Sequence, residues 1–181
     1  MSDHPVLYRA YGVVSNIKAP PHAISSAKEI ADFLSDKNFV LRTGGGNTDI
    51  ENLFEASTPN KELYLPWKNF NEKDSKIVRY SDHIREIAQW QQPGYESLVP
   101  FKQSFINRNI AVVLGKEGTS PLRFLICWSQ DGIEHPAHRT SATGFIGICI
   151  TVAGLIKVPI FNLHNTDVVH RVRSYIEGLD R

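Results

Sequence analysis

Three consecutive glycines, Gly44-Gly45-Gly46, stand between the apolar run Phe39-Val40-Leu41 and a helix-like pattern through Ile50, Leu53, Phe54 and Ala56. Glycine permits torsions and close approaches that a side chain forbids, and a strand-to-helix turn aims free amides outward, so this position is suited to cradling a phosphate. Thr43, Asn47 and Thr48 add neutral hydrogen-bonding groups, and Arg42 adds a positive charge. The competing reading is a tight turn that holds no ligand. A second cluster, Thr140-Ser141-Ala142-Thr143-Gly144, opens an apolar stretch at 143–156 and offers hydroxyls and amides at a helix start, where an ordinary cap is the alternative. Trp67 and Phe70 follow one strand-like run and Trp128 ends another, where a base or ribose can stack, although partly buried packing is the commoner role of such residues. The acids near these turns are Asp49, Glu51 and Asp131, the candidates for any catalytic proton transfer.

Several chemistries are disfavoured by the same residues. The glycine turn is neither G-x-G-x-x-G nor a Walker loop ending in Lys-Ser/Thr, so neither a dinucleotide dehydrogenase nor an NTPase follows. No Ser-His-Asp set or glycine-flanked nucleophile elbow is present. His135 and His138 have a metal-like spacing, but Pro136 lies between them and no third ligand is near, so a solvated loop is expected and no metal.

These residues must be positioned by an alternation of strands and helices. Residues 6–14 read as a first strand, and a helix follows over 22–36, with apolar residues three and four apart after Pro20-Pro21. The 39–41 strand, the glycine turn and its helix come next, then a strand over 61–65 stopped by Pro66. A helix over 82–91 lies within the irregular 67–100 region. A helix over 101–114, a strand over 122–128, a helix over 143–156, a strand over 159–163 and a helix over 166–179 complete the series. Near-continuous apolar strands alternating with helices predict an α/β fold: a Rossmann-like three-layer α/β/α arrangement with a mainly parallel sheet of about five strands. In such sheets the ligand lies beyond the carboxyl ends of the strands, here the loops after the first, second and fourth.

With 181 residues and no linker, repeat or low-complexity tract, one domain spanning 1–181 is expected. Twenty basic and nineteen acidic side chains give a formal charge of +1, which removes the global electrostatic argument for a dedicated nucleic-acid binder but leaves room for a local patch. Cys127 and Cys149 sit in apolar surroundings and read as reduced core thiols. The opening MSDHPVLYRAYG lacks the features of a secretory signal, and no run approaches a bilayer-spanning length, so a cytoplasmic protein with no membrane partner is expected.

The order of motifs resembles the SLOG superfamily, the Rossmann-like group that contains the DNA-processing protein DprA (Smf) and the LOG phosphoribohydrolases, and most of all its small DprA-like proteins of phage and bacterial type. The resemblance is carried by Leu41-Arg42-Thr43-Gly44-Gly45 with Asp49 and Phe54, Leu65-Pro66-Trp67 with Phe70-Asn71, and Arg108-Asn109 with Val113-Leu114-Gly115. Pro121, Phe124, Cys127-Trp128-Ser129 with Asp131-Gly132, Thr143-Gly144, and Val158-Pro159-Ile160-Phe161-Asn162-Leu163 continue it, so that it covers most of 38–163. It implies a ligand-binding set of Gly12, Ser15, Arg42, Thr43, Gly44, Gly45, Gly46, Asn47, Thr48, Trp67, Asn109, Trp128, Ser129, Ser141, Thr143 and Gly144. It also implies self-association into a homo-oligomer.

Three departures bear on function. The loop after the first strand, Gly12-Val13-Val14-Ser15-Asn16, lacks a second glycine, and Ser141-Ala142 replaces a Gly-Gly pair before Thr143-Gly144. Ile148 occupies the position where LOG-type hydrolases carry a glutamate. The leading expectation is therefore non-catalytic binding, or sequestration, of a nucleotide or nucleotide-derived signalling molecule, with no cofactor required. For a phage-encoded chain the natural use would be capture of a host immune nucleotide in the host cytoplasm. The alternatives are DprA-like binding of single-stranded DNA, with Arg42, Lys68, Lys73 and Arg139 on phosphates, and a LOG-like N-glycosidic hydrolase using Asp49, Glu51 or Asp131.

Overall fold

A computed structural model describes residues 9–179 of the chain. The expected beginning of the first strand at residues 6–8 and the reading of the extreme N-terminus lie outside the described residues. Five strands form one all-parallel sheet: β1 (Ala10–Ser15), β2 (Val40–Thr43), β3 (Lys61–Leu63), β4 (Phe124–Trp128) and β5 (Ile160–Asn162). Their order is β3-β2-β1-β4-β5, so the chain reverses its direction of travel between β1 and β4. The helices are α1 (Pro21–Ser35), α2 (Asp49–Ser57), α3 (Asp82–Gln91), α4 (Pro100–Leu114), α5 (Gly147–Leu155) and α6 (Val168–Leu179). The α/β, Rossmann-like architecture is as the alternation predicted.

The period-two alternation of the strands sorts the core into two layers. Tyr11, Val13, Leu41, Phe124, Ile126 and Trp128 pack with residues of α1, α2 and α6. Ala10, Val14, Leu125 and Cys127 pack on the other face with α3, α4 and α5. The α1 helix starts at Pro21, whose missing N–H is no loss in a first turn, and buries Ala23, Ala27, Ile30, Ala31 and Leu34 at three- and four-residue spacing. Truncation of the fully buried Ile30 to Ala is expected to cost about 2–5 kcal/mol of stability, read from urea unfolding. Both cysteines are free and buried, and burial pushes the Cys149 thiol up to about 12.

The boundaries depart from expectation where single residues intervene. The helix expected from 143 begins at Gly147, because Gly144 adopts φ 60, ψ −148 and kinks the 3-10 segment Ser141–Ile146 that precedes it. β4 begins at Phe124 rather than 122, since the Leu122 amide donates to the Val113 carbonyl and not to the sheet. β3 stops at Leu63, and the edge continues only through a single Tyr64–Ile77 bridge. No helix among the described residues is long and apolar enough to cross a membrane.

Candidate functional site

The glycine turn links the end of β2 to α2 and is held by side chains remote in sequence. The carbonyl of Gly44 accepts from Arg108 of α4, that of Gly45 from Asn71 Nδ2 (3.0 Å), and that of Gly46 from Lys73 Nζ (2.8 Å). Lys73 also donates to Glu55 Oε2 (2.7 Å) and Asn52 Oδ1 (3.1 Å), which anchors it to α2. With the carbonyls so engaged, the amides of Gly46 and Asn47 have no acceptor among the described residues. Gly45 is required twice over, by φ +67 and by the Leu65 side chain that occupies the place of a Cβ.

Directly behind Gly46 lies a carboxylate. A Cβ on Gly46 would overlap the Glu51 carboxyl group, and Glu51 is only 5% exposed. The Thr48 hydroxyl accepts from the Glu51 amide (3.1 Å) as the cap of α2 and donates to Glu51 Oε2 (3.2 Å). Burial pushes the Glu51 carboxyl up to about 7, against the opposing pull of Arg108 and Lys73 and with reinforcement from Glu55. Arg108 lies over the Phe105 ring (5.2 Å) and near that of Phe70 (5.9 Å), and its Nε is buried without a partner among the described residues.

The loop after β4 is organised around Asp131. Burial favours its neutral form, but hydrogen bonds from Ser129 (2.7 Å), Thr143 (2.5 Å) and Thr140 (2.7 Å) outweigh it and hold the carboxyl at about 2. Asn16, at the end of β1, donates to the carbonyls of Thr143 (2.8 Å) and Ala142 (3.3 Å), and Asn109 of α4 donates to that of Phe145 (3.1 Å). The Thr140 cluster is thus a helix-cap structure built on an ionised acid: Thr140 and Thr143 form a reciprocal capping box, and Thr143 is fully buried.

Both loops open on one cavity of about 780 Å³, within the size range of small-molecule sites. Gly46 and Asn47 line one side and Gly144 and Phe145 the other. Its walls are mainly apolar, with Phe70, Phe101, Phe105 and Ile148 prominent, and its ionisable lining among the described residues consists of Lys102, Arg108 and Arg139. No carboxylate and no histidine of the described residues lines it. Phe145 is 87% exposed and Phe101 53% exposed, so large apolar surface faces solvent at the mouth.

Several expected site residues lie elsewhere. Gly12 is inside β1, packed against Leu122 and Leu125, because the sheet face beneath it admits no side chain. Arg42 points to the α4 face, buried against Glu62 (2.9 Å) and the Ser120 carbonyl (2.6 Å), so it supplies no charge to the glycine turn or to an external phosphate. The Thr43 hydroxyl is taken by Glu55 (2.7 Å). Trp128 is 7% exposed within the α1–α6 layer and offers no stacking face to the cavity. Ser129 is fully buried between Asp131 and Asn162 (2.8 Å). Lys73 is committed to the glycine turn rather than free for DNA. Ser15 caps its own strand end by donating to the Asn16 carbonyl (2.7 Å), and Ser141 is exposed. Trp67 is 42% exposed and meets Phe70 and Phe105 edge to face at 5.1 and 5.2 Å, one step behind the lining residues. Asp49 is exposed in the first turn of α2, away from the lining.

Sequence reading missed Lys102, Phe101, Phe105 and Phe145 as site residues, and treated Asn16, Asn71 and Arg108 only as parts of motifs. The Arg108-Asn109 pair was the available signal, since consecutive residues near the end of α4 reach the two loops. His135 accepts from the Ala137 amide as a turn cap, and no group of three or more potential metal ligands occurs among the described residues.

No protein-family model and no curated protein matches this chain. Among solved structures, the molybdenum cofactor carrier protein MCP from Chlamydomonas reinhardtii is similar at 11% identity, covering 94% of this chain and 99% of that one, with a TM-score of 0.40 that is too loose to carry an argument. DNA processing protein A from Helicobacter pylori, a structure described for its single-stranded DNA binding mode, is similar over 96% of this chain and 80% of that one, with 14% identity and a TM-score of 0.57. That likeness speaks to the fold alone, and the chain has a DprA-like, Rossmann-type fold.

Proposed function

We propose that this chain is a SLOG-type protein that binds an anionic nucleotide or nucleotide-derived molecule in the cleft without turning it over. The observation that carries this reading is the lining of the cavity: an aromatic and aliphatic wall, two loop residues whose amides have no acceptor among the described residues, and ionisable groups that among the described residues are all cations. A base fits against Phe101, Phe105 or Phe145, and a phosphate meets the Gly46 and Asn47 amides and Arg139 or Lys102. Turnover is disfavoured because Ile148 lines the cavity where a hydrolase needs an acid, and Asp131 is held ionised by three hydroxyls. Glu51 and Asp49 are absent from the lining.

Denaturing the protein purified from cells and identifying the released small molecules by mass spectrometry tests this directly. An intact nucleotide that also raises the melting temperature of the emptied protein is the expected result. Recovery of free base with ribose phosphate would overturn the non-catalytic reading.

Single-stranded DNA is the second reading, favoured by the exposed Phe101 and Phe145 beside Lys102 and Arg139, and by the DprA-like fold. It predicts oligonucleotide binding that weakens steeply with salt, with little affinity for a mononucleotide.

A further inference from the structure

We propose that binding of an anion at the Gly46 and Asn47 amides is coupled to uptake of a proton by Glu51, so that the site binds more tightly as the pH falls. This rests on the nucleotide-binding reading and concerns how the same site is regulated. No carboxylate of the described residues lines the cavity, yet Glu51 lies against the backbone of Gly46 from behind, in the space a Cβ would take. An anion bound at Gly46 and Asn47 is therefore separated from a buried carboxyl by little more than the backbone of Gly46.

The groups around Glu51 leave its charge state open. Glu55, one turn along α2, has its own carboxylate bound by Thr43 and Lys73 (each 2.7 Å) and adds negative charge nearby. Lys73, from the segment after β3, divides its ammonium among Glu55, Asn52 and the Gly46 carbonyl. Arg108, from α4, donates to the Gly44 carbonyl and attracts the ionised form, and the buried Cys149 thiol of α5 lies within electrostatic reach. Thr48 serves either form, because its hydroxyl can donate or accept. Burial outweighs Arg108 and Lys73 and places the carboxyl near neutrality in the absence of ligand. A bound anion disfavours the ionised form further, and by thermodynamic reciprocity the ionised form disfavours the anion by the same factor.

Like charges a few ångströms apart, at the effective dielectric typical of protein sites, change affinity by well over tenfold, and the cations Arg108 and Lys73 beside Glu51 damp this toward about tenfold. A suitable probe is 3′,5′-cyclic AMP, whose single negative charge is constant between pH 5.5 and 8.5, so any pH dependence belongs to the protein. Calorimetric titration of the wild-type protein and of Glu51→Gln across this range, in two buffers of different ionisation enthalpy, is the test. The expected result is an affinity about tenfold weaker at the upper limit than at the lower for the wild type, with about half a proton taken up per ligand at pH 7.5. Glu51→Gln should bind with a flat profile and no proton uptake. Binding with the same pH slope in both proteins, or with no slope in the wild type, overturns the coupling and leaves the nucleotide site standing. Absence of cyclic AMP binding by both proteins at every pH overturns the coupling together with the site on which it rests.

Discussion

Glu51→Gln should make the protein more stable above neutral pH and less stable by about 1 kcal/mol in acid. Burial raises the Glu51 carboxyl from the ordinary 4.5 to about 7. The folded state thus holds a proton that the unfolded chain releases between these values, and stability is full below 4.5 and declines as pH rises to about 7. At about 1.4 kcal/mol for each tenfold change in acidity, ionising Glu51 in place costs about 3 kcal/mol. Glutamine keeps the volume and removes the charge, but its amide makes a poorer partner for Thr48 and Arg108, which returns about 1 kcal/mol. A net gain of about 2 kcal/mol at pH 8.5 corresponds to a melting temperature higher by about 6 °C in a chain of this size. Urea unfolding of both proteins at pH 5 and pH 8.5 measures it. Equal destabilisation of the variant at both pH values would refute the reasoning, for it would mean that Glu51 is ionised throughout and serves as the counter-ion of Arg108.

Other perturbations separate scaffold from site. Arg139→Ala should weaken binding of cyclic AMP about fivefold to tenfold in calorimetry with little change in melting temperature, because this arginine lines the cavity from an exposed position and its bond to Thr151 (2.8 Å) lies at the surface. Asp131→Asn should lower stability at pH 7 by about 1 kcal/mol after allowance for solvent screening, by urea midpoint. The deficit should be present above the unfolded value of 3.8 and vanish as pH falls through about 2, where the wild-type carboxyl is itself neutralised. Gly45→Ala should cost at least about 2 kcal/mol, from its positive φ and its overlap with Leu65, whereas Gly94→Ala, with a similar φ but open space, should cost only about 1 kcal/mol. Equal losses in the two alanine variants, by urea midpoint, would remove Leu65 from the account.

How far the chain could be read depended on the range of the interaction. The helix over 82–91 was legible because its signals are local: Ser81 accepts from the Ile84 amide, and Ile84 and Ala88 repeat on one face. The Gly44–Gly46 turn was legible as a strand-to-helix connection for the same reason. The parallel sheet of about five strands followed from the alternation of elements, whereas the order β3-β2-β1-β4-β5 emerged only in the structure. Arg42 was misread because a charge beside a glycine turn looks available, while strand alternation sends it to the opposite face from Thr43, where Glu62 and Ser120 receive it. Trp128 was misread likewise, since its position at a strand end says nothing of which layer it enters.

By itself the sequence determined the element types, the parallel sheet and the end of the sheet at which the loops gather, because hydrophobic period, turn residues and chain direction act over a few residues. Only the tertiary structure decided that Arg108, Asn71 and Lys73 clamp three successive glycine carbonyls, that Asp131 is a structural hub, and that Glu51 stands behind the turn as an acid raised by burial to about 7. The clamp rests on contacts between residues 26 to 64 positions apart, and the charge states of Asp131 and Glu51 rest on desolvation and on side chains brought together by folding, none of which is written in local sequence.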